Sequence, residues 1–343
     1  MALISKEELA ELVKEALSEA GVSEKNSSII ADAAVQAELR GISSHGVQMI
    51  PVYLERIKRG GLDPLAEPVA EKIGDTVWRI DGNGACGQLA AYCAAEKIIE
   101  NIKKGIPGTA GIRNSNHCGM LAYYTERIAD AGGIGFMTAN TNPNAAAFGG
   151  AEKVLGTNPF SIAFPTEGDS IVIDMATTSL AKGKLYEYAR KGQKLPEGIA
   201  VDEEGYPVTD PEQALSSILL PFAGYKGYAI SLTVEMLSGV VTGAGWSKQV
   251  HSLHQAPDRQ QNAGMFLAGI PAGLFVGRGE YDRRTAEFMK EVKGSRKAAG
   301  TERILFPGEL ESEKRSRQKT DGIVIEDKLL ETIQSSCTYR HVK

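Results

Sequence analysis

The sequence predicts an α/β protein in which helices flank a mixed sheet and an N-terminal helical subdomain precedes it. Apolar residues recur at helical spacing through roughly the first 60 residues. From Thr76 onward, short β-branched or aromatic runs alternate with helical stretches, which favours strands connected by helices. Two later runs, around Phe160 and Ile171, are separated by a polar turn and are expected to pair antiparallel. The strands are therefore predicted to form a mixed sheet.

Three helices are predicted in the N-terminal subdomain. Ser5 and Glu8 have the spacing of a capping box, and the helix that they begin ends at Gly21. The next two helices cover residues 27–39 and 46–57, and each is followed by glycine.

The rest of the chain is predicted to divide at residue 250. Residues 71–250 form the sheet domain, and residues 250–343 pack with the helical subdomain, residues 1–70. Residues 226–242 are long and mostly apolar, which predicts a buried helix, whereas the charged residues 309–319 are expected to be solvated. The predicted strands are 76–80, 108–113, 134–141, 160–164, 171–174 and 265–276. The predicted helices are 88–104, 120–131, 179–191 and 281–292. Residues 192–211 are polar and turn-rich, and they are predicted to form a loop outside the sheet.

Composition excludes several classes of protein. The chain has 343 residues, 42% of them hydrophobic, and a net charge of −5. No apolar run approaches the roughly 20 residues of a membrane span, and the first residues lack a secretory signal, so we expect no membrane partner and a cytoplasmic location. Mild acidity argues against nucleic-acid binding. The four cysteines are scattered, which predicts reduced thiols.

Three glycines, Gly82, Gly84 and Gly87, follow a predicted strand and precede a helix, as in a dinucleotide-binding fingerprint. That fingerprint also needs an acidic residue about 20 positions on, and residues 112–114 contain none. A phosphate cradle therefore stays an alternative. We favour a tight turn with close helix packing.

Two of the five histidines, His45 and His117, lie in short polar motifs flanked by glycine, which is typical of site residues. His251 and His254 are three residues apart and can share a helix face, but no acidic or sulfur partner accompanies them. A surface pair is favoured over a metal site, and no metal is predicted.

Three further polar segments, residues 140–143, 156–159 and 174–179, end strands or begin loops. Such positions border the crevice in which sheet proteins bind ligands. Taken singly, each segment is explained as well by turn and cap chemistry.

Together with residues 43–53, these segments make the chain resemble the malate/L-lactate dehydrogenase family that is distinct from the Rossmann-fold lactate and malate enzymes. That family includes ureidoglycolate, sulfolactate and diketogulonate oxidoreductases and cyclic-imine reductases. The resemblance covers residues from about 5 to 335. Its most specific pieces are Ser44-His45-Gly46, residues 114–119, residues 148–150 with 156–159, residues 174–177 and residues 220–228.

The resemblance implies an NAD(P)-dependent oxidoreductase on a largely non-Rossmann mixed-sheet fold. Such a protein is normally a homodimer, with its site between the helical subdomain and the sheet, and residues 71–250 would bind NAD or NADP. The family pattern makes His117 the acid/base residue. It assigns the substrate to His45, Tyr53 and Thr157, and the cofactor to Thr141, Met175, Ala176, Thr177 and Lys226.

The chemistry of carbonyl reduction agrees with these assignments. Hydride transfer leaves an alkoxide that must be protonated, and an imidazole with its ordinary pKa near 6.5 is a suitable donor. Asp174 is assigned to catalysis because it can orient an imidazole, although a cap on the following turn is equally credible. The structural alternatives are a helix-cap histidine for His45 and a core histidine for His117.

One position departs from the family pattern. The residue four beyond His45 is arginine in much of the family, where it pairs with a carboxylate, and here it is Met49. Cys118 also occupies a position where aromatic residues are common. The loss of the arginine argues against malate as a dianion and favours a less charged 2-oxo acid or an imine acid.

The sequence thus predicts a reversible NAD(P)-dependent dehydrogenase of small 2-hydroxy acids, malate-like or lactate-like. The enzymatic alternatives are a cyclic-imine or amino-acid-related reductase and a ureidoglycolate-type dehydrogenase. The non-enzymatic alternative is a catalytically silent nucleotide-binding module, which would lack the acid/base histidine.

Overall fold

The computed structural model describes residues 1–180 and 182–337. The strands are β1 (Ala2–Ile4), β2 (Val69–Lys72), β3 (Val77–Asp81), β4 (Gly108–Ser115), β5 (Gly133–Ala139), β6 (Phe160–Phe164), β7 (Ile171–Met175), β8 (Ala200–Val201), β9 (Pro207–Val208), β10 (Ile218–Leu219), β11 (Ala263–Pro271) and β12 (Ile323–Ile325). The helices are α1 (Lys6–Glu19), α2 (Glu24–Leu39), α3 (Ile50–Arg59), α4 (Gly87–Ile102), α5 (Ala122–Asp130), α6 (Lys182–Lys191), α7 (Pro211–Ala214), α8 (Tyr225–Glu235), α9 (Arg278–Gly294), α10 (Glu309–Asp321) and α11 (Asp327–Cys337).

A seven-stranded sheet with the order β2-β3-β4-β11-β5-β6-β7 forms the centre of the protein. Strands β3 and β4 are parallel and are connected by α4, whereas the other neighbouring pairs in this sheet are antiparallel. The predicted mixed sheet is therefore confirmed. The short strand β2 was not predicted because it lies at the sheet edge and is largely exposed, so it carries no apolar signal.

The register of this sheet brings several strand ends to one edge. Strands β4 and β5 both end beside the start of β11, where Ser115 pairs with Ala263 and Ala139 pairs with Met265. At the same edge β6 begins and β7 ends, because Phe160 pairs with Met175. The loops that follow β4, β5 and β7, and the loop that precedes β6, consequently meet along this edge.

Helix α4 packs on β4 and β11 with a face rich in alanine, and its other neighbours are α2 and α5. The small side chains let the helix approach the strands closely. At Gly269 in β11, an added methyl would lie 2.3 Å from Cγ2 of Ile98, so only glycine fits there. This contact fixes the height of α4 above the sheet.

The N-terminal helices form a second apolar core with the C-terminal elements. Helix α1 packs against α2, α3 and α11, and β1 pairs antiparallel with β12. The capping box of Ser5 and Glu8 is present at the start of α1, as predicted. Leu253, Ile323 and Ile333 belong to this core, so residues distant in sequence close the helical unit.

The expected division at residue 250 does not follow these layers in one respect. Strand β11 lies in the middle of the large sheet, although the division assigns it to the C-terminal segment. The strand is apolar and its first three residues, Ala263–Met265, are buried, which suits a position inside a sheet.

Two helical segments also differ from the prediction. Residues 226–242 form α8 and a π-helical turn, Met236–Val241, but one face is exposed, with Leu232 at 42% and Val241 at 62%. The expectation of a buried helix is therefore wrong for that face. Residues 309–319 form α10, which is helical as well as solvated. Within the described part of the chain, every helix is too short or too polar to cross a bilayer.

Substitution of Gly264 by alanine should destabilise the fold. A methyl at this position of β11 would lie 1.8 Å from the carbonyl oxygen of Ser238 in the π-helical turn, so the two elements must separate. Overpacking of this kind costs about 1–3 kcal/mol. The matched control is Gly279→Ala in α9, where the added methyl meets open space and should stabilise the helix by about 0.5–1 kcal/mol. Urea unfolding of both variants measures the difference, and equal midpoints would contradict the packing described here.

Candidate active site

Three residues assigned to the site from the sequence lie together between the helical unit and the sheet edge. His117 follows β4, and its Nδ1 is 2.6 Å from the hydroxyl of Tyr53 on α3. The ring of His45 stacks on that of His117, with centroids 5.5 Å apart and planes inclined by 30°. The helical unit and the sheet therefore each contribute part of one cluster.

The turn that carries His45 is held by a buried acid, Glu38 of α2. Its carboxylate accepts hydrogen bonds from the Ser43 hydroxyl at 2.7 Å and from the backbone N–H of Val47 at 2.9 Å. Burial raises the pKa of Glu38, and these two donors oppose that effect. His45 Nδ1 lies 3.0 Å from the hydroxyl of Ser44. His45 thus faces His117 from a turn that is fixed on both sides.

The loop that carries His117 is fixed by amide side chains. The backbone N–H of His117 donates to Oε1 of Gln261 at 2.8 Å. The Asn116 amide donates to the carbonyl oxygens of Gly84 and Ala85 and accepts from the backbone N–H of Gln261. These bonds satisfy the buried backbone groups of the loop.

Gly87 packs directly against this loop. A methyl on Gly87 would lie 2.0 Å from the carbonyl oxygen of Asn116 and 2.6 Å from that of His117. Two carbonyl oxygens therefore lie against Gly87, and a side chain at this position would separate the start of α4 from the loop. The interpretation of the glycine trio as a tight turn with close packing agrees with this geometry.

A fully buried arginine, Arg56 of α3, joins the helical unit to the segment that follows residue 250. Its guanidinium donates to the carbonyl oxygens of Leu253 at 3.1 Å and Ala256 at 2.9 Å, and also to Asn116 Oδ1 at 3.5 Å. Neutral carbonyl oxygens accept from the two terminal nitrogens, whereas Nε has no partner among the described residues, and Asp258 is the carboxylate whose charge acts on this cation. The charge of Arg56 nevertheless places a positive field on His117.

Burial and this field keep the imidazoles neutral. Burial is the largest cause that lowers the pKa of His117, to about 3, and His45, His254 and Arg56 add to the effect. Burial also lowers the pKa of His45. The same cause raises the pKa of Tyr53 well above its usual value near 10. Near pH 7 the cluster therefore consists of neutral imidazoles and a protonated phenol.

Three threonines assigned from the sequence meet at the same sheet edge. The hydroxyl of Thr141 accepts from the backbone N–H of Thr157 at 2.9 Å, and the two hydroxyls are 3.3 Å apart. Thr177 donates from its hydroxyl to the carbonyl oxygen of Thr157 at 3.0 Å. The loops after β5 and β7 and the loop before β6 are thus joined through these side chains.

A buried acid on α8, Glu235, holds two of these loops from beneath. Its carboxylate accepts from the side-chain amides of Asn158 at 2.7 Å and Asn140 at 3.3 Å, and from the backbone N–H of Ser247 at 2.8 Å. Glu235 was not predicted from the sequence. An acid inside a mostly apolar helix was the signal that could have found it.

Asp174 lies at the end of β7, where its carboxylate accepts from the backbone N–H of Ala122 at 2.7 Å. Ala122 begins α5, so the contact is that of a helix cap. Among the described residues, the recorded partner of this carboxylate is Ala122, and the imidazole nitrogen of His117 is paired with Tyr53 instead. Burial raises the pKa of the Cys118 thiol to about 12, and the nearby Asp174 contributes to this increase.

The remaining cofactor candidates lie at the end of β7 and at the start of α8. Met175 is 42% exposed beside the half-buried Ala176. Lys226 is exposed in the first turn of α8, which has no acidic residue and no side-chain cap. A helix N-terminus with a lysine and free N–H groups suits a phosphate, and hydroxyls and small residues suit a sugar or carboxamide. These residues fit a nicotinamide dinucleotide.

Two other sequence expectations have a definite place in the structure. Met49 is 7% exposed and belongs to the core of the helical unit. His251 and His254 lie in a turn-rich segment instead of on a helix; His251 bonds the carbonyl oxygen of Gln260, and His254 is near His117. Within residues 1–180 and 182–337, no group of three or more His, Cys, Asp and Glu side chains is arranged to hold a metal ion.

Replacement of Asp174 by asparagine should change how stability depends on pH. Burial raises the pKa of Asp174 from 3.8 to about 7, so the folded protein binds the proton more tightly than the unfolded chain. The stability from this group is complete below pH 3.8 and is lost as the pH rises towards 7. Asp174→Asn keeps an acceptor for Ala122 without the titration, so urea midpoints should fall less steeply over this range. Asp174→Ala, which loses the acceptor as well, should be less stable at every pH. An unaltered slope in the asparagine variant would contradict the assignment.

Several known proteins are similar to this chain over nearly its whole length. The malate/(S)-sulfolactate dehydrogenase of Methanothermus fervidus is 38% identical over 332 residues, which cover 97% of this chain and 96% of that protein. The ureidoglycolate dehydrogenase (NAD(+)) of Escherichia coli is 32% identical over 337 residues, with 98% and 96% covered. The solved structure of sulfolactate dehydrogenase from Methanocaldococcus jannaschii superposes with a TM-score of 0.91 at 37% identity, over 98% of this chain and 96% of that one.

The family described as malate/L-lactate dehydrogenase matches residues 4–334. That span includes the His117 loop, the turn that carries His45, and the threonine loops. The chain belongs to the malate/L-lactate dehydrogenase family.

Proposed function

We propose that this protein reversibly transfers a hydride between a nicotinamide cofactor and a small 2-hydroxy acid, with His117 as the acid/base residue. The observation that carries the proposal is the buried imidazole of His117, bonded to Tyr53 at the junction of the helical unit and the sheet edge. The relatives named above are dehydrogenases of hydroxy acids, which supports this class of reaction.

The residues of the cluster have different roles in the reaction. The nicotinamide ring, when bound, supplies or accepts the hydride. His117 is neutral near pH 7 and can exchange a proton with the substrate oxygen through Nε2, because Nδ1 is occupied by Tyr53. His45, stacked on His117, is placed to polarise the carbonyl. The cation of Arg56 favours an anionic substrate in the cleft.

The cofactor is assigned to the threonine loops and the start of α8. Thr141, Thr177 and the Met175-Ala176 segment would line the nicotinamide and its ribose, and Lys226 would meet a phosphate. Thr157, joined to Thr141, would lie between cofactor and substrate. One relative is named for NAD(+), and both NAD and NADP belong in the test.

The preferred substrate is a 2-oxo acid that carries less negative charge than a dicarboxylate. Met49 is packed in the core of the helical unit, so this position offers no cation to a second acidic group. An imine acid is the alternative for the same reason. The catalytically silent module is disfavoured because the acid/base imidazole is present and held by Tyr53.

The experiment is a panel of oxaloacetate, pyruvate, sulfopyruvate, oxalurate and cyclic imines with each reduced cofactor, followed by absorbance. At least one pair should turn over. His117→Ala should lower kcat for that pair by about 10² to 10⁴, the value of a positioned acid/base, with cofactor affinity nearly unchanged.

His251→Ala is the matched control, because it also removes an imidazole but one that bonds a loop carbonyl oxygen. It should retain most of the activity. Cofactor binding without turnover of any substrate would support the silent module instead. Loss of folding stability in His117→Ala equal to its loss of activity would mark a core histidine.

We also propose that the protein is a homodimer. Its proposed location, as expected from the sequence, is the cytoplasm. The exposed face of α8 and the π-helical turn is apolar, with Leu232 at 42%, Met236 at 46%, Val240 at 50% and Val241 at 62% exposure. A contiguous apolar stripe of this kind is typical of a protein interface. A second copy would cover it by two-fold symmetry.

Light scattering should therefore give twice the chain mass of 36.7 kDa. The double substitution Met236→Glu and Val240→Glu places two like charges in the stripe and should yield the single-chain mass, because unpaired charges in an apolar interface are costly. Leu310→Glu on α10, where the leucine is 54% exposed, is the control and should keep the mass of the parent. A monomeric parent would refute the dimer.

A further inference from the structure

A chain of hydrogen bonds continues behind Tyr53, away from His117. Gln88, in the first turn of α4, is 1% exposed, and its Nε2 donates to the Tyr53 hydroxyl at 2.8 Å. The thiol of Cys86 donates in turn to Oε1 of Gln88 at 3.0 Å. Burial raises the pKa of Cys86 to about 12, so the sulfur keeps its proton and can be a donor.

The direction of this chain follows from the number of protons available. A phenol has one proton to donate. Because the Tyr53 oxygen accepts from Gln88, its own proton must point to the remaining neighbour, Nδ1 of His117, at 2.6 Å. Nδ1 is then an acceptor, and the proton of the neutral imidazole resides on Nε2. Among the described residues, the side-chain hydrogen bond of the His117 ring is made through Nδ1, so the N–H at Nε2 is available to a substrate oxygen.

We propose that Gln88 is a positioning residue that determines, through Tyr53, which ring nitrogen of His117 carries the proton. The inference rests on the role proposed for His117. Gln88 touches neither the imidazole nor the substrate. It acts by controlling the orientation of one hydroxyl group.

A glutamine can support both directions of the reaction because its amide offers a donor and an acceptor. In the observed arrangement, Nε2–H of His117 donates to the oxygen of a 2-oxo acid. In the second arrangement the amide is turned, Tyr53 donates to Oε1 of Gln88, and Nδ1–H donates to Tyr53. Nε2 is then free to accept the proton of a hydroxy acid. In reduction, Nδ1 takes up a proton from solvent as Nε2 gives its proton to the alkoxide oxygen, which leaves the Nδ1–H form. In oxidation, Nε2 takes the hydroxyl proton and Nδ1 releases its proton to solvent, so neither direction leaves an imidazolate.

Cys86 biases this equilibrium. Its S–H favours the amide orientation that directs Oε1 towards sulfur and Nε2 towards Tyr53. In the turned orientation the sulfur would have to accept from an N–H, and thiol sulfur is a weak acceptor. The bias therefore favours the tautomer of His117 that donates to a carbonyl oxygen, which is the one needed for reduction.

The test reverses the hydrogen-bonding role of residue 88 towards Tyr53, from donor to acceptor. In Gln88→Glu an ionised carboxylate can only accept, so Tyr53 must donate to it and Nδ1 of His117 must carry a proton. In Gln88→Leu the chain is absent and neither tautomer is favoured. The charged and titratable groups that face His117 are otherwise His45, His254, Arg56 and Tyr53, and neither variant changes them.

The primary measurement is the long-range ¹H–¹⁵N spectrum of histidine-labelled protein, with His117 identified by its loss in His117→Ala. The parent should show His117 with Nε2 protonated, and Gln88→Glu should show it with Nδ1 protonated. The added carboxylate should also move the acidic limb of the pH profile of kcat/KM upward by about one pH unit or more. Gln213→Glu, an exposed residue of α7, adds the same charge elsewhere and should leave both observables unchanged.

Several outcomes would overturn the inference. A parent with Nδ1 protonated refutes the deduced direction, and a spectrum that is identical in Gln88→Glu refutes control by Gln88. The spectrum needs no substrate, so it separates this inference from the proposed function. A tautomer that responds as expected, in a protein whose activity survives His117→Ala, would refute the role of His117 and leave the chain of hydrogen bonds established.

Discussion

The hydrogen bond between Tyr53 and His117 connects the two halves of the molecule. Tyr53 belongs to α3 of the helical unit, and His117 belongs to the loop that follows β4 at the sheet edge. Both side chains are removed from water, so the bond cannot be exchanged for one to solvent without cost. The relative position of the two halves is therefore coupled to the state of one imidazole.

The electrostatics of the site are set by burial and by the cation of Arg56. The guanidinium donates to carbonyl oxygens, and Asp258 is the carboxylate whose charge acts on it. The nearby imidazoles are neutral chiefly because burial lowers their pKa, and for His117 the charge of Arg56 adds to that effect. An anionic substrate would change this balance, because its charge favours the protonated imidazole. The site is thus suited to gain proton affinity when the substrate binds.

Much of the framework was predictable because local chemistry determines it. The capping box at Ser5 and the strands of the large sheet other than β2 were identified from spacing and composition, and the structure contains them. The motifs around His45 and His117 were recognised because short polar segments bounded by glycine are unusual. Gln88, Gln261 and Glu235 were missed, since amide and acid side chains far apart in sequence reveal their role only through their partners.

The sequence by itself determined the family, the helical and strand segments, and the residue types available for proton transfer, because these depend on local spacing and on motifs that recur in order. Only the tertiary structure decided that β11 lies between β4 and β5, that one face of α8 is exposed, and that Asp174 caps α5. It also decided the charge state of His117, which its residue type alone would place near pH 6.5. The physical reason is that burial and hydrogen bonding are properties of neighbours, and neighbours distant in the chain are set by the packing of the whole fold.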